Sequence, residues 1–166
     1  MKKITYIILI ILMIPAAARL QSVEQKLNLI SNSRILGGEF IVDFQIKGTE
    51  LGSLTTLASF NADVLYDSTL LRFISGTNWH AELTSQEGYN CYIQSNAEDT
   101  INTRAVRIAI LGANVNSDDL TPSAGFDLTE EYVSIVRMNF VILDVSKSAS
   151  IRIKAATNQF GSFINK

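Results

Sequence analysis

The chain has 166 residues with 14 basic and 16 acidic side chains, one histidine, one cysteine and a formal net charge of −2. That length supports one domain with a sizeable core. The mild acidity speaks against a nucleic-acid binder built on clustered Lys and Arg, a lone cysteine excludes an intrachain disulfide, and a lone histidine excludes metal sites made of two or three imidazoles.

Lys2 and Lys3 give a basic start, Ile4–Ile14 (ITYIILIILMI) is an uncharged apolar run, and Pro15 leads into Ala16-Ala17-Ala18, an A-x-A cleavage pattern. This is the layout of a secretory signal peptide over residues 1–18. Cleavage after Ser22 is a second option, because Leu20-Gln21-Ser22 also ends in a small residue. The run Ile4–Ala18 holds 15 residues, short for a helix that must cross roughly 30 Å of hydrocarbon. Losing Lys2 and Lys3 lowers the basic count from 14 to 12 against 16 acidic residues, a net charge of −4. No later stretch is long and apolar enough to span a membrane as a helix. The expectation is an exported domain over residues 23–166, secreted or at the cell surface, with no membrane partner after cleavage.

Strand signals then recur with short turns between them, and no segment longer than ten residues has a clear 3.6-residue period. Glu24–Ile30 is a modest first strand. Gly37-Gly38 turns the chain into Glu39–Gly48, where Phe40, Val42, Phe44 and Ile46 share one face and Ile41, Asp43, Gln45 and Lys47 the other. Thr55–Tyr66 is a long alternating strand with Phe60, Ala62, Val64 and Tyr66 inward; Asp67-Ser68-Thr69 breaks it before a short strand over Leu70–Ile74. Gly76–Glu87 reads as a loop containing a hairpin. Tyr89–Ser95 and Ala105–Leu111 are further strands, with Tyr89, Cys91 and Ile93 on one side of the first, Tyr92 on the other, and Val106, Ile108 and Ile110 inward on the second. Gly112–Thr129, rich in Asn, Asp, Ser and Thr, reads as a surface loop. Val133–Leu143, with Val136, Met138, Phe140 and Ile142 inward, and Ile151–Lys154 complete the set. Alternating strands about ten residues apart, without parallel-sheet helices between them, predict an all-β antiparallel β-sandwich of about nine strands, closed by jelly-roll or Greek-key wiring.

Four segments in this order, GGEFIVDFQIKG (37–48), SFNADVLYDSTLLRF (59–73), VRIAILG (106–112) and VSIVRMNFVIL (133–143), resemble the cohesin pattern. The similarity spans roughly residues 23–155. It implies a nine-stranded jelly-roll, an architecture that cohesins share with some cellulose-binding modules. The most specific piece is LYDSTLLRF. Asp67 is expected to cap the turn, and Ser68 stands where the family usually has proline, still able to support a turn through its hydroxyl. Cohesins bind dockerins through the outward face of one sheet, partly through polar residues on the strand before Tyr-Asp. Counted back from Tyr66-Asp67, the outward positions are Asp63, Asn61, Ser59 and Leu57. Cellulosomal cohesins carry an Asn and an Asp where Ser59 and Asn61 stand here. The resemblance therefore implies a dockerin-like protein partner, with Ser59, Asn61 and Asp63 as contact residues.

Chemistry beyond binding finds little support in the residues. No G-x-S-x-G elbow accompanies His80, which reads as a surface histidine. Asp63, Glu82 and Asp118 offer no spacing that selects a glycosidase pair. Asn114-Val115-Asn116-Ser117-Asp118 alternates oxygen ligands but lacks the Gly and distal Glu of a calcium loop and reads as an Asx-rich turn. Cys91 reads as a buried, inert thiol, and Glu130-Glu131 as a solvated pair. No catalysis, metal or cofactor is expected. The alternative to a protein partner is polysaccharide, stacked on Trp79 and Tyr92 in a carbohydrate-binding module, although Trp79 is also placed to plug one end of the sandwich. A structural spacer in a larger surface protein is the third reading.

Overall fold

Alternation of apolar and polar residues is satisfied when two sheets press their apolar faces together, and that is the arrangement adopted. The computed structural model describes residues 22–49, 56–85, 89–97, 101–112, 126–154 and 161–164. Among these are nine strands: β1 (Ser22–Asn32), β2 (Glu39–Thr49), β3 (Thr56–Asp67), β4 (Leu71–Thr77), β5 (Tyr89–Ala97), β6 (Thr103–Gly112), β7 (Val133–Ile142), β8 (Ile151–Ile153) and β9 (Gly161–Ile164). One sheet has the order β1-β2-β7-β4; the other runs β5-β6-β3-β8, with β9 also paired to β3. Every ladder is antiparallel. The chain crosses between sheets from β2 to β3, β3 to β4, β4 to β5, β6 to β7 and β7 to β8, the wiring of a jelly-roll sandwich. The leader expected at residues 1–18 lies outside the described residues, as does the Asx-rich turn at 114–118.

The apolar stripes meet between the sheets. Phe40, Val42, Phe44 and Ile46 of β2 and Val136, Met138, Phe140 and Ile142 of β7 face Phe60, Ala62, Val64 and Tyr66 of β3 and Val106, Ile108 and Ile110 of β6. Phe140 is the hub, its ring centroid 6.3 Å from that of Phe40, 5.2 Å from Tyr66 and 5.5 Å from Phe73, each in an edge-to-face arrangement. A register shift opposite Phe44/Gln45 adds one residue to β7, so that Ile135 and Val136 are consecutive yet both buried.

Three local expectations are corrected. Gly76–Glu87 contains no hairpin in its described part. It ends β4 and then forms a short helix, α1 (Ala81–Ser85), whose Leu83 is buried. Five residues are too few for a helix stable alone, so tertiary packing of Leu83 holds it. The end of the supposed surface loop is core: Phe126 and Leu128 are buried, and the backbone around them bonds to Leu57 and Gly48. Nor is His80 a plain surface residue, because its ring packs on Phe126 at 4.7 Å and its Nδ1 is buried. Apolar residues spaced irregularly in a polar segment hide this role, since a plug inserted into the end of a sandwich needs no periodicity.

Candidate functional site

The strand before the Tyr-Asp turn, β3, lies inside the β5-β6-β3-β8 sheet, and its register assigns the outward face row by row. Ser59 stands opposite Leu111, Asn61 opposite Ala109, Asp63 opposite Arg107 and Leu65 opposite Ala105. On β5, Asn90 extends the first row, Tyr92 the second, Gln94 the third and Asn96 the fourth. On the other side of β3, Arg152 of β8 continues the row of Leu65. Directly opposed residues of an antiparallel pair share a face, so Ser59, Asn61, Asp63, Tyr92, Arg107, Leu111 and Arg152 form one surface. Tyr92 is 56% exposed and Leu111 43%. These two rings and branches bracket Ala109 as an apolar strip amid amides, hydroxyls and charges.

Ser59, Asn61 and Asp63 are thus brought together, but Leu57 is not with them. It is fully buried. The pairing with β9 shifts register between Leu57 and Ser59, and the extra residue turns Leu57 to the core. Tyr89 stabilises this end, its hydroxyl donating to the Leu57 carbonyl and accepting from the Phe126 N–H at 3.0 Å.

Asp63 is bound within its own sheet. Arg107 donates to its carboxylate through Nε at 2.8 Å and Nη2 at 2.9 Å, and the Lys154 N–H donates to its backbone carbonyl at 2.8 Å. The Arg107 hydrogen bond holds the Asp63 carboxyl below its ordinary value of 3.8, with the charges of Arg107 and Lys154 acting the same way. The exposed surface of this pair belongs mainly to Arg107, whose side chain is 54% exposed against 15% for Asp63. Sequence reasoning singled out the acid and missed its cation. The available signal was parity, because Arg107 alternates with the inward Val106 and Ile108.

A carboxyl with a depressed folded-state pKa adds stability that is complete above its unfolded value and disappears as pH falls through the folded one. Asp63 behaves so, as do Asp67, lowered by its hydrogen bond from the Thr69 side chain, and Asp144, lowered by that from the Ser146 N–H. Urea titrations are therefore expected to give a flat midpoint between about pH 5 and pH 7 and a falling one below about pH 4. Asp63→Asn should flatten part of the fall, and an unchanged slope would contradict the role of the pair. The effect of this one substitution is small, since solvent screens the half-exposed Arg107.

Asp67 accepts from the Thr69 N–H at 2.8 Å and the Thr69 hydroxyl at 2.6 Å, closing the turn between β3 and β4. Ser68 reaches across instead, donating its hydroxyl to the Asn102 carbonyl at 3.2 Å. Trp79 follows β4, half-buried and packed against the core between the sheets, whereas Tyr92 is on the outward side of β5. The two candidate sugar-stacking rings therefore do not share a sheet face. Cys91 points inward, its thiol pushed up by burial. Among the described residues there is no cluster of three His, Cys, Asp or Glu side chains able to hold a metal, and no helix long and apolar enough to cross a membrane.

The other sheet presents a different outer surface. There Arg137 grips the buried Asp43 through Nε at 2.7 Å and Nη2 at 3.0 Å, Gln45 bonds Ser134 at 3.1 Å, and Asn139 bonds Thr77 at 2.9 Å. Those groups are spent on one another across the strands.

Comparison with solved structures places this wiring. The sixth cohesin of scaffoldin B from Acetivibrio cellulolyticus, solved in complex with a mutant dockerin, is 16% identical, with a TM-score of 0.52 over 86% of this chain and 86% of that one. The fold is that of a cohesin module. A type II cohesin from a cohesin–X–dockerin complex of the same organism superposes with a TM-score of 0.53 at 14% identity, covering 87% of this chain and 92% of that one. A type I cohesin–dockerin complex from Clostridium thermocellum gives 0.51 at 13% identity, covering 87% of each chain. No protein-family model and no curated protein matches the sequence. The cohesin-like wiring is thus shared over nearly the whole chain at low identity, as expected where register and apolar stripes set the architecture and outer residues are free to vary.

Proposed function

We propose that this cohesin-like domain is a non-catalytic module that binds a protein partner of the dockerin type through the outward face of β5-β6-β3-β8. The observation that carries the reading is the pair of exposed apolar side chains Tyr92 and Leu111, with the half-buried Ala109 between them, beside Asn61 and the Asp63–Arg107 pair. An apolar centre with a polar surround on a rigid sheet has the anatomy of a protein interface. On the opposite sheet Arg137 bonds Asp43, Gln45 bonds Ser134 and Asn139 bonds Thr77. The dockerin complexes of proteins with this fold support the class of partner. We place Asn61 and Tyr92 in contact with the partner, Ser59 at the edge, and Asp63 behind Arg107 as its positioning residue. The leader pattern at residues 1–18 supports export, so that binding takes place outside the cell. A polysaccharide ligand is the weaker reading, because Trp79 packs on the core and leaves Tyr92 as a single ring.

Purified dockerin modules assayed against the domain by calorimetry test the proposal. At least one should bind, and Tyr92→Ala and Asn61→Ala should each weaken it by roughly 5- to 100-fold, the range of a central interface residue. Absence of binding by the folded parent to every dockerin tried would overturn it. Retention on insoluble polysaccharide, lost in Trp79→Ala, would favour the sugar reading instead.

A further inference from the structure

We propose that two copies of this chain associate through the outer edge of β5, pairing antiparallel about a twofold axis at Gln94 to form one continuous sheet. This self-association does not depend on which partner the face itself binds. Its basis is the way the sheet edges are protected. An edge strand offers unpaired N–H and C=O groups to any other strand, and proteins blunt such edges with charges, prolines, bulges, short strands or a covering element. β1 carries Glu24 and Lys26 and a register shift between Leu29 and Ser31. β4 carries Arg72 and a register shift between Phe73 and Ser75. β8 has three residues, one of them Arg152, and β9 has four. β5 has none of these devices. Its nine residues, YNCYIQSNA, include no charge, no proline and no glycine, and they pair with β6 from Tyr89 to Ala97 without a register shift. Among the described residues no strand pairs with its other side.

The flank at this edge is incompletely closed. Cys91 and Ile93 are only half-buried, whereas Ile110 and Ile108, their neighbours in register on β6, are fully buried. α1 packs at the Tyr89 end, its Leu83 carbonyl 3.8 Å from the Cys91 thiol, so the open stretch runs from Tyr92 to Asn96. Along that stretch, among the described residues, the one hydrogen bond outside the β6 ladder joins the Ser95 and Tyr66 hydroxyls at 2.8 Å. Composition selects a second copy as the occupant. Under a twofold axis the strand must be complementary to itself. Asn and Gln meet that condition, because each amide is both donor and acceptor. With Gln94 on the axis its amide meets that of the second copy, and Tyr92 stands beside Asn96 of the second copy on the outward side. No pair in the stretch brings like charges together, and the added strand covers Ile93. Directly opposed residues share a face, so the two candidate faces lie on the same side of one sheet and the dimer presents two of them. One strand per copy is a small contact, which places the association in the weak class.

Sedimentation of the purified protein from about 5 to about 500 µM reads the association by mass action. The mass is expected to rise from one chain to two and to stop there, because an isologous contact closes at the dimer. Gln94→Lys and Gln94→Glu each place like charges on the axis and should raise the Kd roughly tenfold or more. Mixing the two variants should restore the dimer, since lysine then faces glutamate. Leu29→Lys, on the edge of β1, should leave the association unchanged. Thermal melts check that the variants fold. Hydrogen exchange on the parent at the two ends of the concentration range reads the same contact without any variant: amides from Tyr92 to Asn96 should slow at high concentration and those of β1 should not. A single-chain mass across the range would overturn the self-pairing and leave the β5 edge to an extended segment of another protein. Growth past two chains, loss of the dimer in Leu29→Lys, no recovery on mixing, or slowing confined to β1 would overturn it as well.

Discussion

Phe140→Ala is expected to destabilise the domain by about 3–5 kcal/mol and to lower its melting temperature by roughly 10–15 °C. The ring is almost fully buried and is met edge-on by Phe40, Tyr66 and Phe73. It joins both sheets, since Phe40 and Phe73 are its in-register partners on β2 and β4 while Tyr66 comes from β3 opposite. Truncation removes the apolar transfer term and also opens a cavity that three large neighbours cannot fill without leaving their rotamers. Phe140→Leu keeps much of the volume and forfeits mainly the ring-edge contacts, each worth about 0.5–1.5 kcal/mol, so it should fall between the parent and alanine. Chemical denaturation followed by circular dichroism measures both. A loss below about 1 kcal/mol for alanine would show that the aromatic cluster does not hold the sheets together in the way described.

Tyr89→Phe is expected to destabilise by about 1–3 kcal/mol. Its hydroxyl lies between the carbonyl of Leu57 and the N–H of Phe126, and the Leu57 N–H donates in turn to the Phe126 carbonyl at 2.9 Å. Phenylalanine preserves the packed ring and leaves a main-chain donor without that acceptor. A second consequence bears on function. The shift that sends Leu57 inward and Ser59 outward occurs at this knot, so loosening it disorders the Ser59 end of the candidate face first. Hydrogen exchange should show faster exchange at Leu57 and Ser59 than at Asp63, further along β3. Uniform protection along β3, with no change in stability, would contradict the proposed role of the hydroxyl.

Much of the sandwich was legible because burial in a two-layer β fold is a period-two property. FNADVLYD places Phe60, Ala62, Val64 and Tyr66 on one face whichever strand pairs with it, and the structure buries all four. What escaped the pattern either breaks the period or lacks one. Leu57 and Ile135 sit at register shifts that depend on which strand lies alongside. Leu83, Phe126 and Leu128 are isolated apolar residues in polar stretches that insert into the end of the sandwich. β9, four residues led by a glycine, is too short to present an alternation of its own.

The candidate face was legible by half. Residue order alone places Asn61 and Asp63 on the outside of β3 and Tyr92 on the outside of β5, since alternation follows from the geometry of the extended chain. Which strands lie side by side is a long-range matter, settled by where the apolar stripes of distant segments bury most area. Only that pairing puts Arg107 against Asp63 across 44 residues of sequence and brings Arg152 of β8 into the row of Leu65. The sequence by itself determined a two-sheet β-sandwich and the inward face of its long strands. The tertiary structure decided that Asp63 is held by an arginine, that Trp79 is packed against the core, and that Tyr92 shares an outward face with Asn61, because each of these depends on neighbours that only the ladder order supplies.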